Sequence, residues 1–327
     1  MSSKKQYPAL DGLRAFSAVG IALMHILANG SYSLSGFVFD RLIPSFTHLV
    51  FLFMIISSFG VCCGYYEKVI QGKFDIEGFY RKRLQKIWPF FALMCLFECA
   101  VTFSPEALWE TLANLSMCFG FMNQPMQVIG VGWFLGIVMI FYMIFPFFCC
   151  LIRDKRRAWI CLGILAVVST LSEYHFGLTR SNFAYSFVFF ATGGVLYLYR
   201  EKLADFSASY RWLVLLLCAA AAAVYYCVGY QTMLFPALFA LVVIYALGST
   251  GKLLDNPVTR YLSGISMEIY LCHLPVFRVL EKLKVTTLFG NGAVSYVVTC
   301  ALTILGAVCV ATLYQKTVSF LAGKFKR

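Results

Sequence analysis

The recurrence of apolar segments about 20 residues long constrains this chain more than any other feature. A helix of about that length crosses the ~30 Å hydrocarbon core of a bilayer. Hydrophobic residues make up 61% of the 327 positions and charged residues 13%, which excludes an ordinary soluble domain. We therefore predict an all-α integral membrane protein, a bundle of about ten transmembrane helices, with residues 1–327 as a single transmembrane domain. The predicted spans are 10–30, 44–66, 87–104, 132–152, 158–174, 182–199, 211–229, 232–250, 261–280 and 292–319.

The basic residues predict the orientation of this bundle. Most of the 27 lysines and arginines fall in alternate connections, on the same side as both ends of the chain. Because cytoplasmic loops are enriched in these residues, both termini are expected in the cytoplasm. The net charge of +12 is then a cytoplasmic collar, which requires no nucleic acid and also suits an anionic cofactor.

Two ionisable residues lie inside the first span, LDGLRAFSAVGIALMHIL. Arg14 and His25 are separated by three helical turns plus about 20°, so they share one face, roughly 16 Å apart. An arginine at the centre of a membrane helix costs about 2.5–3.5 kcal/mol, so such residues usually face a polar cavity. Arg14 would guard the inner mouth of that cavity, and His25, whose neutral ring accepts protons near neutrality, would lie deeper. The plainer alternatives are an arginine paired with Asp11 at the helix start and a histidine that bonds to a neighbouring helix.

A basic cluster precedes the third span, in FYRKRLQKIWPFF. Arg83 and Lys86 are three residues apart and would present two cations on one helical face, with Arg81 close by. Guanidinium groups bind phosphate oxygens bidentately, so the cluster is a candidate phosphate site. Anchoring of the bundle at the cytoplasmic surface explains the same residues without any site.

Two further segments carry polar side chains in apolar surroundings. Trp133 and Tyr142 lie in the mid-chain span GWFLGIVMIFYMIFPFF, where an aromatic belt is the simpler explanation. The late segment GISMEIYLCHLPVF contains Glu268, Tyr270 and His273. Five residues turn a helix by about 140° net, so Glu268 and His273 are not expected to act as a pair.

The remaining polar features give weaker indications. Glu98 is a carboxylate inside the third span for which the sequence suggests no partner, and Pro275 predicts a local helix break near the outer end of its span. The 13 cysteines lie mostly within spans, and no Cys–His spacing suits zinc. We therefore expect no metal site.

These segments together resemble acyltransferase family 3, a family of integral-membrane O-acyltransferases. LDGLRAFSAVGIALMH is similar to the family's opening motif of an arginine, ten residues and a histidine, and FYRKRLQKIWP resembles its basic cytoplasmic motif. WFLGIVMIFYMIFP and LSGISMEIYLCHLPV are similar to its Trp-Phe-Leu segment and its late Ser-x-x-x-Tyr-Leu-x-His-x-Pro segment. The four segments occur in the family's order, and no further domain is expected, as in the stand-alone membrane form.

The resemblance implies an activity and a set of roles. The family transfers an acyl group, most often acetyl, from cytoplasmic acyl-CoA to a hydroxyl of an extracytoplasmic acceptor such as a surface glycan or a secreted molecule. Arg14 and His25 would be the essential pair, with Arg83 the principal residue of the basic motif. Two departures concern Lys86, which replaces the family's second arginine, and residues 137–139, where many members carry a glutamate. Another helix would have to supply that carboxylate.

On this reading the bundle surrounds a polar cavity open to both sides. Acyl-CoA would be held by its phosphates at Arg81, Arg83 and Lys86, and its pantetheine arm would pass Arg14 towards His25. His25 would act as general base on the acceptor hydroxyl or form a covalent acyl-histidine. Candidate donors to the tetrahedral intermediate are the side chains of Trp133, Tyr142 and Tyr270. A transporter or export factor and a non-catalytic sensory membrane module are the alternative functions.

Overall fold

The structure is a computed structural model that describes residues 7–121, 129–229 and 233–324. These residues are helical almost throughout, with a single short strand among them, β1 (Leu288–Asn291). The α-helices are α1 (Pro8–Asn29), α2 (Ile43–Ser45), α3 (Leu49–Ile70), α4 (Ile76–Val101), α5 (Pro105–Leu115), α6 (Trp133–Leu151), α7 (Lys155–Tyr174), α8 (Phe183–Ser209), α9 (Arg211–Val228), α10 (Leu234–Leu247), α11 (Pro257–Gly264), α12 (Ser266–Lys282) and α13 (Ala293–Lys324). A π-helical turn (Val38–Leu42) and 3₁₀ turns at Phe46–His48, Phe119–Phe121 and Val285–Thr287 complete the elements.

Helix starts in this chain are fixed by polar residues that the sequence places just before the apolar segments. The side chains of Asp75, Asp154 and Asn182 each accept a bond from a backbone N–H in the first turn of α4, α7 and α8. Asn256 and Thr259 form a reciprocal capping box at the start of α11. Each such cap stabilises its helix by about 1 kcal/mol, so the helix boundaries follow directly from local sequence.

Within the described ranges, seven helical stretches are long and apolar enough to span a membrane, and they coincide with seven of the ten predicted spans. The other three predicted spans correspond to α8, to the short apolar helix α10, and to the pair α11 and α12. The all-helical, multi-pass class is therefore confirmed, whereas the count of ten and the placement of the termini remain predictions. The prediction of a helix break at Pro275 is wrong, because α12 continues to Lys282. The interruption lies instead at Ile265, directly after Gly264 ends α11, and glycine is a common helix terminator.

Helix α1 occupies the centre of the bundle, in contact with α3, α10, α11, α12 and α13. The most extensive packing joins α3 to α8 and α7 to α8. Stacked rings fill the α3–α8 contact, with the centroids of Phe51 and Phe189 4.1 Å apart. Helices α7 and α9 bury little of their apolar surface within the bundle, which is the arrangement expected of helices that face lipid.

An ion pair joins α4 to α12 near the C-terminal ends of both helices. The Glu98 carboxylate, 4% exposed, accepts a bond of 2.5 Å from Nη1 of Arg278. The partner that the sequence left unidentified is thus an arginine 180 residues further along the chain. Because this pairing neutralises Glu98, that carboxylate is not available to the cavity described below.

Candidate active site

A cavity of about 240 Å³ lies between α1, α3, α4, α6, α11 and α12. Cationic, hydroxyl and aromatic side chains line this cavity, so one part of its wall can bind an anion and another part is apolar. The lining residues that matter below are Arg14, Ser57, Gly60, Arg83, Lys86, Val138, Tyr142, Ser263 and Ser266, with Phe53, Phe134 and Tyr270. We refer to Arg14, Arg83 and Lys86 as the cationic end of the cavity.

Arg14 is held in place by bonds from both sides. Its Nη1 donates to Asp11 Oδ1 at 3.2 Å, and its Nη2 donates to the carbonyl oxygen of Ile56 on α3 at 3.4 Å. Ser263 on α11 donates to the same oxygen of Asp11 at 3.0 Å. The guanidinium passes so close to Gly60 that a side chain there would meet Nη2. Arg14 and Asp11 therefore form the pair that their spacing indicated, and the pair also joins three helices.

Arg83 lies among three aromatic rings at the cationic end. Its guanidinium carbon is 5.3–5.4 Å from the ring centroids of Tyr65, Phe79 and Tyr142, a geometry that stabilises a cation. Its Nε is buried without a hydrogen-bond partner among the described residues. Because the faces of these rings accept no conventional hydrogen bond, the guanidinium keeps N–H groups available to an anion in the cavity.

The structure brings Lys86 to Arg83 but leaves Arg81 outside. Lys86 lines the cavity and lies within electrostatic range of Arg14. The Arg81 side chain is 63% exposed and pairs with Glu77, one turn back on α4, at 3.8 Å. The reason is helical periodicity: two residues separate Arg81 from Arg83, which turns them about 200° apart.

Three aromatic rings close the other end of the cavity. The ring centroids of Phe53, Phe134 and Tyr270 are 5.4–6.4 Å from one another, and we call these rings the aromatic barrier. The Tyr270 hydroxyl donates to the carbonyl oxygen of Val131 at 2.9 Å. Its proton is thereby engaged, which removes Tyr270 from the candidate donors to a reacting oxygen.

Beyond the aromatic barrier lie two histidines in ring contact. The centroids of His25 on α1 and His273 on α12 are 5.3 Å apart, with the ring planes inclined by 37°, and the His273 ring is 6.1 Å from that of Tyr270. We call His25 and His273 the histidine pair. His25 is half-buried and His273 fully buried. His25 is not among the lining residues of the cavity, and the contact between the rings of His273 and Tyr270 connects the histidine pair to the aromatic barrier.

Arg180, in the connection between α7 and α8, was not singled out from the sequence. Its guanidinium carbon lies 5.4 Å from the ring centroid of Trp133, and its Nη1 donates to the carbonyl oxygen and the hydroxyl of Thr47. None of the ion pairs within the described ranges includes it. It lies within electrostatic range of His25. In the sequence, Arg180 is a single arginine in a short connection between two apolar segments, and its spacing indicates no partner.

Glu268 is a second carboxylate near the cationic end, besides the Asp11 that pairs with Arg14. It is buried, it accepts a bond of 3.1 Å from Nε2 of Gln315, and its Oε2 has no hydrogen-bond partner among the described residues. It lies within electrostatic range of Lys86. Val138, in the stretch where many family members carry a glutamate, lines the cavity with an apolar side chain. Glu268 is therefore better placed than Glu98 to supply a negative charge near the cavity.

The described part of the chain contains no group of three or more His, Cys, Asp and Glu side chains suited to a metal ion. The site itself combines a cationic end suited to anions, an aromatic barrier and a histidine pair.

Comparison with known proteins identifies the family of the chain. A model of the acyltransferase domain matches residues 7–312. The O-acetyltransferase OatA of Staphylococcus aureus strain NCTC 8325 / PS 47 is 24% identical over 191 residues, which are 53% of this chain and 29% of that protein. The OatA proteins of strains COL and MRSA252 match equally. The chain thus spans less than a third of the length of these curated relatives, and no solved structure matches it significantly. Since the domain model covers nearly all of the chain and both halves of the site, the protein belongs to acyltransferase family 3.

Proposed function

We propose that the protein is an O-acetyltransferase of the cytoplasmic (inner) membrane. It moves an acetyl group from cytoplasmic acetyl-CoA to a hydroxyl of an extracytoplasmic glycan or another surface or secreted acceptor. One observation carries this proposal: Arg14 of the cationic end and His25 of the histidine pair lie on the same helix, α1, and the aromatic barrier that lines the cavity contacts the histidine pair through the rings of Tyr270 and His273. The name of the Staphylococcus aureus relatives supports acetyl as the transferred group.

The cationic end suits the donor. Acetyl-CoA carries its negative charge on phosphates, and Arg83 and Lys86 offer cationic N–H groups that none of the described carboxylates neutralises by an ion pair. A volume of about 240 Å³ is small beside the ~300–1,000 Å³ of typical ligand pockets. We therefore assign the pantetheine arm and thioester to the cavity and the nucleotide to its mouth.

Along α1, roughly 16 Å separates Arg14 from His25, a distance of the order that an extended pantetheine arm covers. For transfer, the thioester must reach past Phe53 and Phe134, so these rings would move aside or admit the arm between them. With the arm in this position, the carbonyl carbon of the thioester would lie next to the histidine pair, and the phosphates of the donor would stay at the cationic end.

His25 is the proposed general base. It takes the proton of the acceptor hydroxyl while the oxygen attacks the thioester carbonyl carbon. The tetrahedral intermediate then breaks its carbon–sulfur bond, and the proton passes from His25 to the leaving thiolate of CoA. Proton transfer of this kind contributes typically ~100- to 10,000-fold in rate. A covalent acetyl-histidine is the alternative route, in which the His25 ring nitrogen attacks first.

Arg180 is the group we propose to stabilise the developing oxyanion. It is a cation held by Trp133 and Thr47 and within electrostatic range of His25. Fixed donors of this kind act where charge develops, since they need no reorganisation during the reaction. Tyr142 lies instead beside Arg83, and the Tyr270 proton is engaged.

The test uses the purified full-length chain in nanodiscs with radiolabelled acetyl-CoA. With no acceptor added, water takes the place of the acceptor hydroxyl, so wild-type protein is expected to release CoA slowly, and His25→Ala and Arg14→Ala are expected to lose this activity while the protein still inserts and folds. His175→Ala is the matched control, because His175 is an exposed histidine that contacts only the neighbouring ring of Phe176 among described aromatic residues. Full activity of His25→Ala would contradict the mechanism.

The same preparation separates the proposal from its alternatives. Saturable movement of a solute across the membrane without acetyl-CoA would establish a transporter. Binding of acetyl-CoA with no turnover, in protein shown to be folded, would establish a sensory module. Each of these results would overturn the acetyltransferase proposal.

A further inference from the structure

The inference concerns His273, a buried ring whose hydrogen bonding is incomplete. Its Nδ1 lies 3.3 Å from the carbonyl oxygen of Ile269, one turn earlier on α12. Since a carbonyl oxygen only accepts, this contact requires the proton on Nδ1 and leaves Nε2 as an acceptor. Nε2 has no hydrogen-bond partner among the described residues, although the ring is completely buried. A buried acceptor without a donor is unfavourable, so Nε2 needs a donor nearby.

His25 is the donor that the geometry supplies. Two imidazole rings joined by an N–H···N bond have centroids about 5 Å apart, the sum of a hydrogen bond of about 2.9 Å and the two ring radii. The observed separation of the centroids is 5.3 Å. At this separation a His25 ring nitrogen that faces Nε2 can donate to it with no change in the spacing of α1 and α12.

The other polar groups near the pair have partners of their own. Arg180 donates through Nη1 to Thr47, with its guanidinium against the Trp133 ring, and the Tyr270 hydroxyl donates to Val131.

We propose that His273 is a positioning residue that accepts a hydrogen bond from His25 and thereby fixes the His25 tautomer. The other His25 nitrogen then carries a lone pair towards the acceptor hydroxyl. When it takes that proton, the positive charge of the His25 ring is stabilised by the bond to Nε2, and the proton later leaves with the CoA thiolate. The arrangement has the logic of a nucleophile, a base and a third group that orients the base. The inference rests on the proposed role of His25.

The experiment compares three substitutions in nanodisc-embedded full-length protein. His273→Gln places an amide oxygen near the position of Nε2, whereas His273→Asn reaches only the position of Nδ1 and His273→Leu removes the acceptor. We expect His273→Gln to keep most of the CoA release. We expect His273→Asn and His273→Leu to lower kcat by about 100-fold, with the KM for acetyl-CoA unchanged, because the cationic end is untouched.

Two further variants make the result specific. The double variant His25→Ala with His273→Leu is expected to be no slower than His25→Ala alone, because residues that act as a unit are not additive. His175→Gln controls for the loss of a histidine elsewhere. Unfolding temperature and acetyl-CoA binding are measured for every variant. Should His273→Leu fail to fold, the contrast between His273→Gln and His273→Asn decides.

The outcomes distinguish this inference from the proposed function. Wild-type activity in His273→Leu, or equal full activity in His273→Gln and His273→Asn, would overturn the inference if His25→Ala is inactive. A wild-type protein that releases no CoA, or an active His25→Ala, would contradict the proposed function and this inference with it.

Discussion

The basic residues near the start of α4 have two different surroundings, because the helical repeat turns them to different sides of the helix. Arg83 lies among the rings of Tyr65, Phe79 and Tyr142 and faces the cavity. Arg81, two positions earlier on α4, is exposed and pairs with Glu77. The two arginines belong to one basic sequence cluster, so they form a matched pair for testing whether the cavity binds the donor.

Arg83→Ala is expected to raise the KM for acetyl-CoA by about 10- to 100-fold. Hydrogen bonds to charged groups contribute about 1.5–3 kcal/mol, and each 1.4 kcal/mol corresponds to about tenfold in affinity. Arg81→Ala is expected to change the KM less than about twofold, because an exposed ion pair contributes little. Steady-state CoA release at varied acetyl-CoA measures both. An equal effect of the two substitutions would place the phosphates outside the cavity.

For single residues, the sequence predicts contacts within one helix but not contacts between segments that are far apart in the sequence. The spacing of Asp11 and Arg14 indicated their pair, and that of Arg83 and Lys86 their common face, since both follow from the helical repeat. The contact between Arg180 and Thr47 depends instead on how segments far apart in the sequence pack together. No periodicity within a segment carries that information.

The contact between α3 and α8 depends on a glycine at the closest approach of the two helices. A side chain at Gly193 would collide with the backbone carbonyl of Ile55 and with Ser58, whose hydroxyl donates to the carbonyl oxygen of Phe190 at 2.7 Å. Small residues allow membrane helices to approach closely, and packing then replaces the hydrophobic driving force. The glycine therefore fixes the spacing of the most extensive helix contact in the bundle.

Gly193→Ala is expected to destabilise the protein by about 1–3 kcal/mol, the usual cost of overpacking. Gly163→Ala, in α7, is the control, because a methyl group there would meet nothing within 4 Å. It should be neutral or slightly stabilising, since alanine has the higher helix propensity. Unfolding temperatures in the same detergent compare the two. Equal temperatures would show that α3 and α8 separate to accommodate the methyl group.

At the level of elements, apolar length located the helices, whereas their interruptions depended on local backbone chemistry. The spans at 211–229 and 132–152 agree with α9 and α6 to within a residue. Pro275 lies inside α12 because prolines are tolerated in helices of membrane proteins when neighbouring groups satisfy the freed backbone. The actual break follows Gly264, a residue that the length of the apolar segment does not identify as an interruption.

For the whole molecule, the distribution of basic residues predicts that both termini lie in the cytoplasm. A protease-cleavable tag added at either end should therefore resist protease in intact spheroplasts and be cut in inverted membrane vesicles. The physical reason is the enrichment of lysine and arginine in cytoplasmic loops. A tag at one end that is cut in spheroplasts would show an odd number of membrane crossings and would reverse the later connections.

The aromatic barrier has a further consequence for the cell that contains this protein. A cation-lined cavity on one side and histidines on the other would, if water joined them, form a path for protons. Each proton that leaks releases about 2.3 kcal/mol per 100 mV of membrane potential. Phe53 and Phe134 offer no polar side-chain atom, and the Tyr270 hydroxyl is bound to Val131. If the proposed transfer takes place, the three rings would keep water and protons from crossing between the two compartments, so that an acyl group could pass without loss of the membrane potential.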